Sequence, residues 1–190
     1  MGTSGLTGEF DHLVEAHLDD LYRYALRLCK GRTADAEDLV QDAMLRALRA
    51  KEQLRSYETG RAWLFQIVTR THLNRIRALG RRSESLASDL DEQAFEEALA
   101  AWSPLAGPEE RLLQEQQREQ LLAALDGLDP GLRAALWLSD VEEFTQREVA
   151  QMLAIPEGTV ASRVYRARRA LRVQLRTAAH EAGVLAERVR

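Results

Sequence analysis

Cysteine occurs once in the 190 residues, at Cys29, and histidine only four times. That leaves no room for a disulfide framework or a thiolate metal site. A single cysteine also fits a reducing compartment. No apolar run approaches the roughly 20 residues that cross a bilayer. The opening MGTSGLTGEFDHL lacks the basic flank and apolar stretch of a signal peptide. A cytoplasmic protein without membrane insertion is therefore expected. Aromatics make up 6%, there are four prolines, and β-branched runs are few. Ala, Leu, Glu, Arg and Gln dominate instead, a composition that favours helix over strand. No glycine-rich phosphate loop is present. His12 and His17 lie five apart and so miss a common helix face, and His72 stands alone. Nothing meets the requirements of acid–base or nucleophilic catalysis. No catalytic residue, metal, cofactor or small-molecule substrate is expected.

What is abundant is charge, and its distribution carries more than its sum. The formal net charge of −4 argues against a nucleic-acid binder. Yet from Arg61 to Arg82 there are six arginines and no acid. From Ser83 to Glu110 there are eight acids and no base, and from Ser162 to Arg176 six arginines return, again without an acid. Two basic blocks divided by an acidic one suggest two binding surfaces that the total hides. Any one block taken alone could be a solvated helix face.

Apolar spacing predicts an all-α chain of two small helical domains joined by an acidic linker. The first helix is expected over 12–32, on Leu18, Leu21, Tyr22, Ala25 and Leu28 or Cys29, with Gly31 stopping it. Thr33 suits the next N-cap, ahead of Asp35 and Glu37, and the helix carrying Ala36, Leu39, Val40, Ala43 and Ala47 runs to about Lys51. A third is expected from Arg61 to about Leu79. The parts divide as an N-terminal tail (1–9), a first domain (10–82), the linker (83–107), a second domain (108–176) and a C-terminal tail (177–190). The linker holds one short amphipathic piece, Glu92 to Trp102. Pro108 suits a first helical turn, Leu121, Leu122, Leu125 and Leu128 mark a helix, and Asp129-Pro130 opens another.

The stretch FTQREVAQMLAIPEGTVASRVYRARRAL, residues 144–171, breaks a helix and restarts it at once. Thr145 and Glu148 form a capping box, and Pro156 permits a new start just past Ile155. Helices joined by so short a turn cross steeply, in helix-turn-helix geometry. Val160, Val164, Ala167 and Leu171 stack on one face of the second helix, which points Ser162, Tyr165, Arg166, Arg169 and Arg172 the other way. A major groove admits such a helix and its N-terminal residues reach base edges. Ser162, Tyr165 and Arg166 are the candidate readers; Arg168, Arg169 and Arg172 are placed for phosphates. On the helix at 61–79, Trp63 and Phe65 accompany Arg70, Asn74, Arg75 and Arg77, the stacking-plus-charge chemistry that holds single-stranded DNA.

DAEDLVQDAMLRAL (35–48) followed by RAWLFQIVTRTHLNRIRALGRR (61–82) resembles the polymerase-binding and promoter-melting domain of bacterial sigma factors of the extracytoplasmic-function group, within the sigma-70 family. LDPGLRAALWLSDVEEFTQREVAQMLAIPEGTVASRVYRARRAL resembles their second domain, which recognises the −35 element. The resemblance implies that 10–82 is of sigma region 2 type and 108–176 of region 4 type. It implies that Asp38, Gln41 and Asp42, at three- and four-residue spacing, dock on the β′ clamp helices of core RNA polymerase. It further implies that Trp63, Arg70, Asn74, Arg75 and Arg77 serve the −10 element, and Ser162, Tyr165, Arg166, Arg168, Arg169 and Arg172 the −35 element. Core polymerase (β′ clamp helices and β flap), promoter DNA and an anti-sigma factor are the implied partners. The chain departs from many members at Thr69-Arg70, where they carry Arg-Asn. It departs again at Ala161, where they often carry a base; that shifts −35 readout onto Ser162, Tyr165 and Arg166. Two other readings remain: a helix-turn-helix regulator whose first half is a sensor, and a helical enzyme.

Overall fold

The computed structural model describes the backbone of residues 3–54, 56–78 and 108–181, and side chains at 9–54, 56–78 and 118–176. The expected amphipathic piece at 92–102 and the linker lie outside the described residues. All regular structure among the described residues is helical: α1 (Thr3–Leu28), α2 (Thr33–Ala50) with a 3-10 turn (Lys51–Gln53), α3 (Gly60–Ala78), α4 (Pro108–Gly127), α5 (Pro130–Asp140), α6 (Gln146–Leu153) and α7 (Glu157–Glu181).

In the first module α1, α2 and α3 pack against one another. The buried stripe of α1 is Phe10, Leu13, Leu21, Tyr24, Ala25 and Leu28. It differs from the expected register at two places: Leu18 is 41% exposed, and Tyr24 rather than Tyr22 is fully buried. Tyr24 wins because its hydroxyl has a partner inside, the Thr69 hydroxyl at 2.9 Å. The helix also begins at Thr3, well before His12, since Phe10 and Leu13 extend its apolar stripe. It ends in a Schellman motif: Gly31 N–H donates to Leu26 O and Lys30 N–H to Arg27 O, with both Lys30 and Gly31 at positive φ. The chain re-enters helix so soon that Thr33 is already helical, and the N-cap is Arg32, whose side chain caps nothing. Gly60 marks the closest approach of α3 to α1; a Cβ there would sit 2.6 Å from both Leu13 methyls. Each fully buried Leu in this core contributes about 1.5–3 kcal/mol.

The second module follows its local signals closely. Asp129 caps α5 by accepting from Gly131 N–H at 2.8 Å. Thr145 and Glu148 complete the capping box of α6 in both directions. Ala154 closes α6 in the left-handed region at φ 53, and α7 begins three residues later, at Glu157. Contacts with α4, α5 and α6 surround α7.

The modules do not stand apart. α3 lies against α6, and α1 and α3 touch α5. Tyr24, Phe65 and Phe144 form an aromatic chain across the join, with centroids 5.4 and 5.1 Å apart. One buried apolar cluster runs through both modules. Arg133 of α5 is 1% exposed and donates to Leu125 O, Asp126 O and Leu128 O at the end of α4, and to Leu28 O and Arg27 O at the end of α1. Five carbonyls, at the negative ends of two helix dipoles, replace the counter-ion this buried cation lacks.

Candidate functional site

Three surfaces gather the residues that the sequence singles out. On α2, Asp38 and Gln41 are exposed and Asp42 is half-buried. Arg75 of α3 donates to Asp42 Oδ2 (2.5 Å) and to Asp38 O (3.0 Å). Its hydrogen bond holds the Asp42 carboxyl below the usual carboxylate range. The face continues along the helix: Leu45 and Leu48 are 49% and 48% exposed. Asp38, Gln41, Leu45 and Leu48 follow at steps of three, four and three, so acid, amide and two uncovered leucines form one stripe. Sequence reasoning missed both leucines, although the same spacing contained them.

On α3, Trp63, Arg70, Asn74 and Arg77 fall on one stripe at helical spacing. Arg70, Asn74 and Arg77 are exposed, while Trp63 is half-buried and packs against the core. Arg77 Nη1 donates to Asn74 Oδ1 at 3.0 Å, fixing the amide. Arg75, one residue past Asn74, lies about 100° off this stripe and reaches back to α2. Phe65 belongs wholly to the core, which removes it as a surface for stacking bases. Thr69 is also fully buried; its hydroxyl donates to Phe65 O at 2.7 Å and meets Tyr24. Position 69 is therefore a core position in this chain, whereas Arg70 is exposed and donates from Nη2 to Gln151 O of α6 at 2.9 Å.

On α7, Ser162 and Tyr165 are exposed and Arg166 is half-buried. The Ser162 hydroxyl donates to Thr159 O (3.0 Å), and Arg166 Nε to Ser162 O (3.2 Å), so these groups share the start of the helix. The expectation that Arg169 and Arg172 point away from the core is not met: they are 8% and 6% exposed. The cause is the number of neighbours, since α4, α5 and α6 all pack on α7 and its buried arc is wider than one stripe. Arg168 is held in a bidentate pair with Asp140, at 3.0 and 2.9 Å. Thus the start of α7 presents side chains outward, and its middle is built into the module.

No group of three or more His, Cys, Asp or Glu among the described residues could hold a metal ion, and no helix among them is long and apolar enough to cross a membrane. The Cys29 thiol is buried and burial raises its pKa.

Comparison with known proteins places these surfaces in context. The Sigma-70 region 2 family model matches residues 13–82, and the Sigma-70 region 4 model matches 118–171. The chain is 36% identical, over 90% of its length, to the ECF RNA polymerase sigma factor SigE of Mycolicibacterium smegmatis; the match spans 63% of that relative. It is 32% identical to the ECF RNA polymerase sigma-E factor of Escherichia coli K12, over 73% of each chain. Its fold is similar to the sigma factor RpoE of Bartonella quintana, solved in complex with the anti-sigma factor NepR. There the TM-score is 0.64 at 24% identity, covering 88% of this chain and 96% of that one.

Proposed function

The chain belongs to the extracytoplasmic-function group of the sigma-70 family, and on that premise we propose that it is an alternative sigma factor: it binds core RNA polymerase and directs initiation at promoters bearing −35 and −10 elements. The observation that carries this reading is the pairing, in order, of a region 2 module and a region 4 module on one chain, each presenting a face of suitable chemistry. Domains over 10–82 and 108–176 then carry the two functions, joined by the acidic linker at 83–107. The protein acts as a specificity subunit rather than an enzyme, and it works in the cytoplasm, with the polymerase.

The mechanism is one of binding in sequence. Asp38, Gln41 and Asp42, with Leu45 and Leu48 beside them, dock on the β′ clamp helices. The acids give orientation and the leucines give buried area. Arg70, Asn74 and Arg77 hold the −10 strand once it opens, with Trp63 as the stacking group. Each stacked base is worth about 1–3 kcal/mol, which offsets re-pairing. Arg75 is bonded to Asp42, so docking that recruits Asp42 releases a cation beside the strand. Ser162, Tyr165 and Arg166 read −35 base edges in the major groove, and Arg166 can pair bidentately with guanine. Arg168 reaches a phosphate only by leaving Asp140. The named relative from Bartonella was solved with an anti-sigma factor, and a protein inhibitor of that kind is the expected third partner here.

Retention on immobilised core polymerase, with run-off transcription, tests the reading. Wild type is retained and starts transcripts; Asp38→Arg/Asp42→Arg loses about tenfold or more in retention. Promoter binding with no retention in either form would favour the regulator with a sensor half.

A further inference from the structure

α5 ends on Asp140 and carries no basic residue in its last turn. An acid there meets the negative end of the helix dipole, where a cation is favoured. The cation comes instead from α7. Arg168 Nε donates to Asp140 Oδ2 at 3.0 Å and Nη2 to Oδ1 at 2.9 Å, so both carboxylate oxygens meet one guanidinium. The Asp140 side chain is 19% exposed and that of Arg168 38%. A pair this open to water adds little to stability. What a two-point contact does supply is direction, because the two planar groups must align.

Direction matters for the reading helix. The buried face of α7 is Val160, Val164, Ala167 and Leu171. Apolar ridges and grooves specify a crossing angle only to within about 15–20°, whereas a functional side chain needs to be held within about 10–20°. The apolar face alone therefore leaves the readers at the margin, and a directional contact settles how they are aimed. Arg168 stands where such a contact acts, three residues past Tyr165 and two past Arg166. Its partner is an anchored point. Just beyond Asp140, the N–H groups of Val141 and Glu142 donate to Trp137 O, and that of Phe144 to Leu138 O. Thr145, the N-cap of α6, follows directly. The pair thus ties the entry of the helix-turn-helix to its reading helix. Leaving it for a phosphate would strand the Asp140 carboxylate at the negative end of α5, close to a negatively charged duplex, so the exchange gains little.

We propose that Asp140 is a positioning residue for −35 recognition: its two-point hold on Arg168 fixes how α7 sits on α5, and the pair stays closed on DNA. The inference rests on the function proposed above. Arg168 then works inside the protein as a strut, and phosphate contacts fall to other groups. Ser162, Tyr165 and Arg166 keep the reading role, and Asp140 acts only through Arg168.

The experiment uses the full chain bound to core polymerase. The probes are the −35 duplex that wild type selects from a random pool and single-base-pair variants of it, titrated across a salt series. Wild type is expected to prefer its selected duplex by about tenfold per base pair changed. Asp140→Ala should cut that preference about fivefold and steepen the plot of log K against log salt by about 0.9, as Arg168 is released to a phosphate. Arg168→Ala should cut the preference equally with the slope unchanged, and the double variant should be no worse than either single one. Arg168→Lys keeps the stem and the charge but not the fork. It should discriminate no better than Arg168→Ala, and it tests the strut even if the alanine variants melt early. Full discrimination in Asp140→Ala or Arg168→Lys overturns the proposal. So does a slope about 0.9 shallower in Arg168→Ala with discrimination kept, the mark of a phosphate contact. A wild-type complex that prefers no duplex refutes the sigma reading beneath; preference intact in both wild type and variants refutes only the strut.

Discussion

His72 shows how much a single side chain can decide. It sits on the inner side of α3, 8% exposed, with Nε2 bonded to nothing. Burial first, and then the cations Arg133, Arg75 and Arg32, lower its pKa from 6.5 to about 4. Above pH 6.5 the ring is neutral whether folded or unfolded and affects nothing. As pH falls from 6.5 to about 4, the unfolded chain takes a proton that the fold refuses, so stability drops across that window by up to roughly 3 kcal/mol. Denaturant titrations at pH 7, 5.5 and 4 should show this slope, and His72→Gln should flatten it; an equal slope in the variant would move the effect elsewhere. In the sequence His72 is only an isolated histidine, and Arg133 an arginine in the apolar run LRAALWL. Their settings are made by groups far along the chain: Arg133 meets Leu28 O across 105 residues. Local pattern carries no trace of that.

At the scale of helices, what lies within one turn was legible. The capping box of α6 joins Thr145 to Glu148, and the left-handed end of α1 falls at Lys30 and Gly31; such signals need only four or five neighbouring residues. The outward face of α7 was read less well, because a stripe counted at 100° per residue assumes one neighbouring surface, and α7 has three. The consequence is testable. Arg166→Ala should weaken discrimination between −35 variants with little change in melting temperature. Arg172→Ala, removing a side chain that is 6% exposed, should instead lower stability by about 1–3 kcal/mol, as buried polar groups lose their setting. Binding-site selection beside thermal unfolding distinguishes these. Equal loss of discrimination in both variants would return Arg172 to the DNA surface.

For the whole molecule, order along the chain and charge blocks gave the two modules, but not their embrace. Contacts between 61–70 and 142–151 join segments some eighty residues apart, across a linker that pattern alone reads as a separator. One apolar cluster serves both modules, so heat should unfold them as a unit rather than in two steps. The join also contains its own optical gauge. Trp137 donates its indole N–H to Glu142, the carboxylate held by Arg61. Anything that separates the modules removes Arg61 from Glu142 and changes the electrostatic surroundings of that indole, so its emission should shift on urea titration. Replacing the other two tryptophans, Trp63 and Trp102, by phenylalanine would leave one native fluorophore reporting, without attached dyes, whether the two modules lie together or apart.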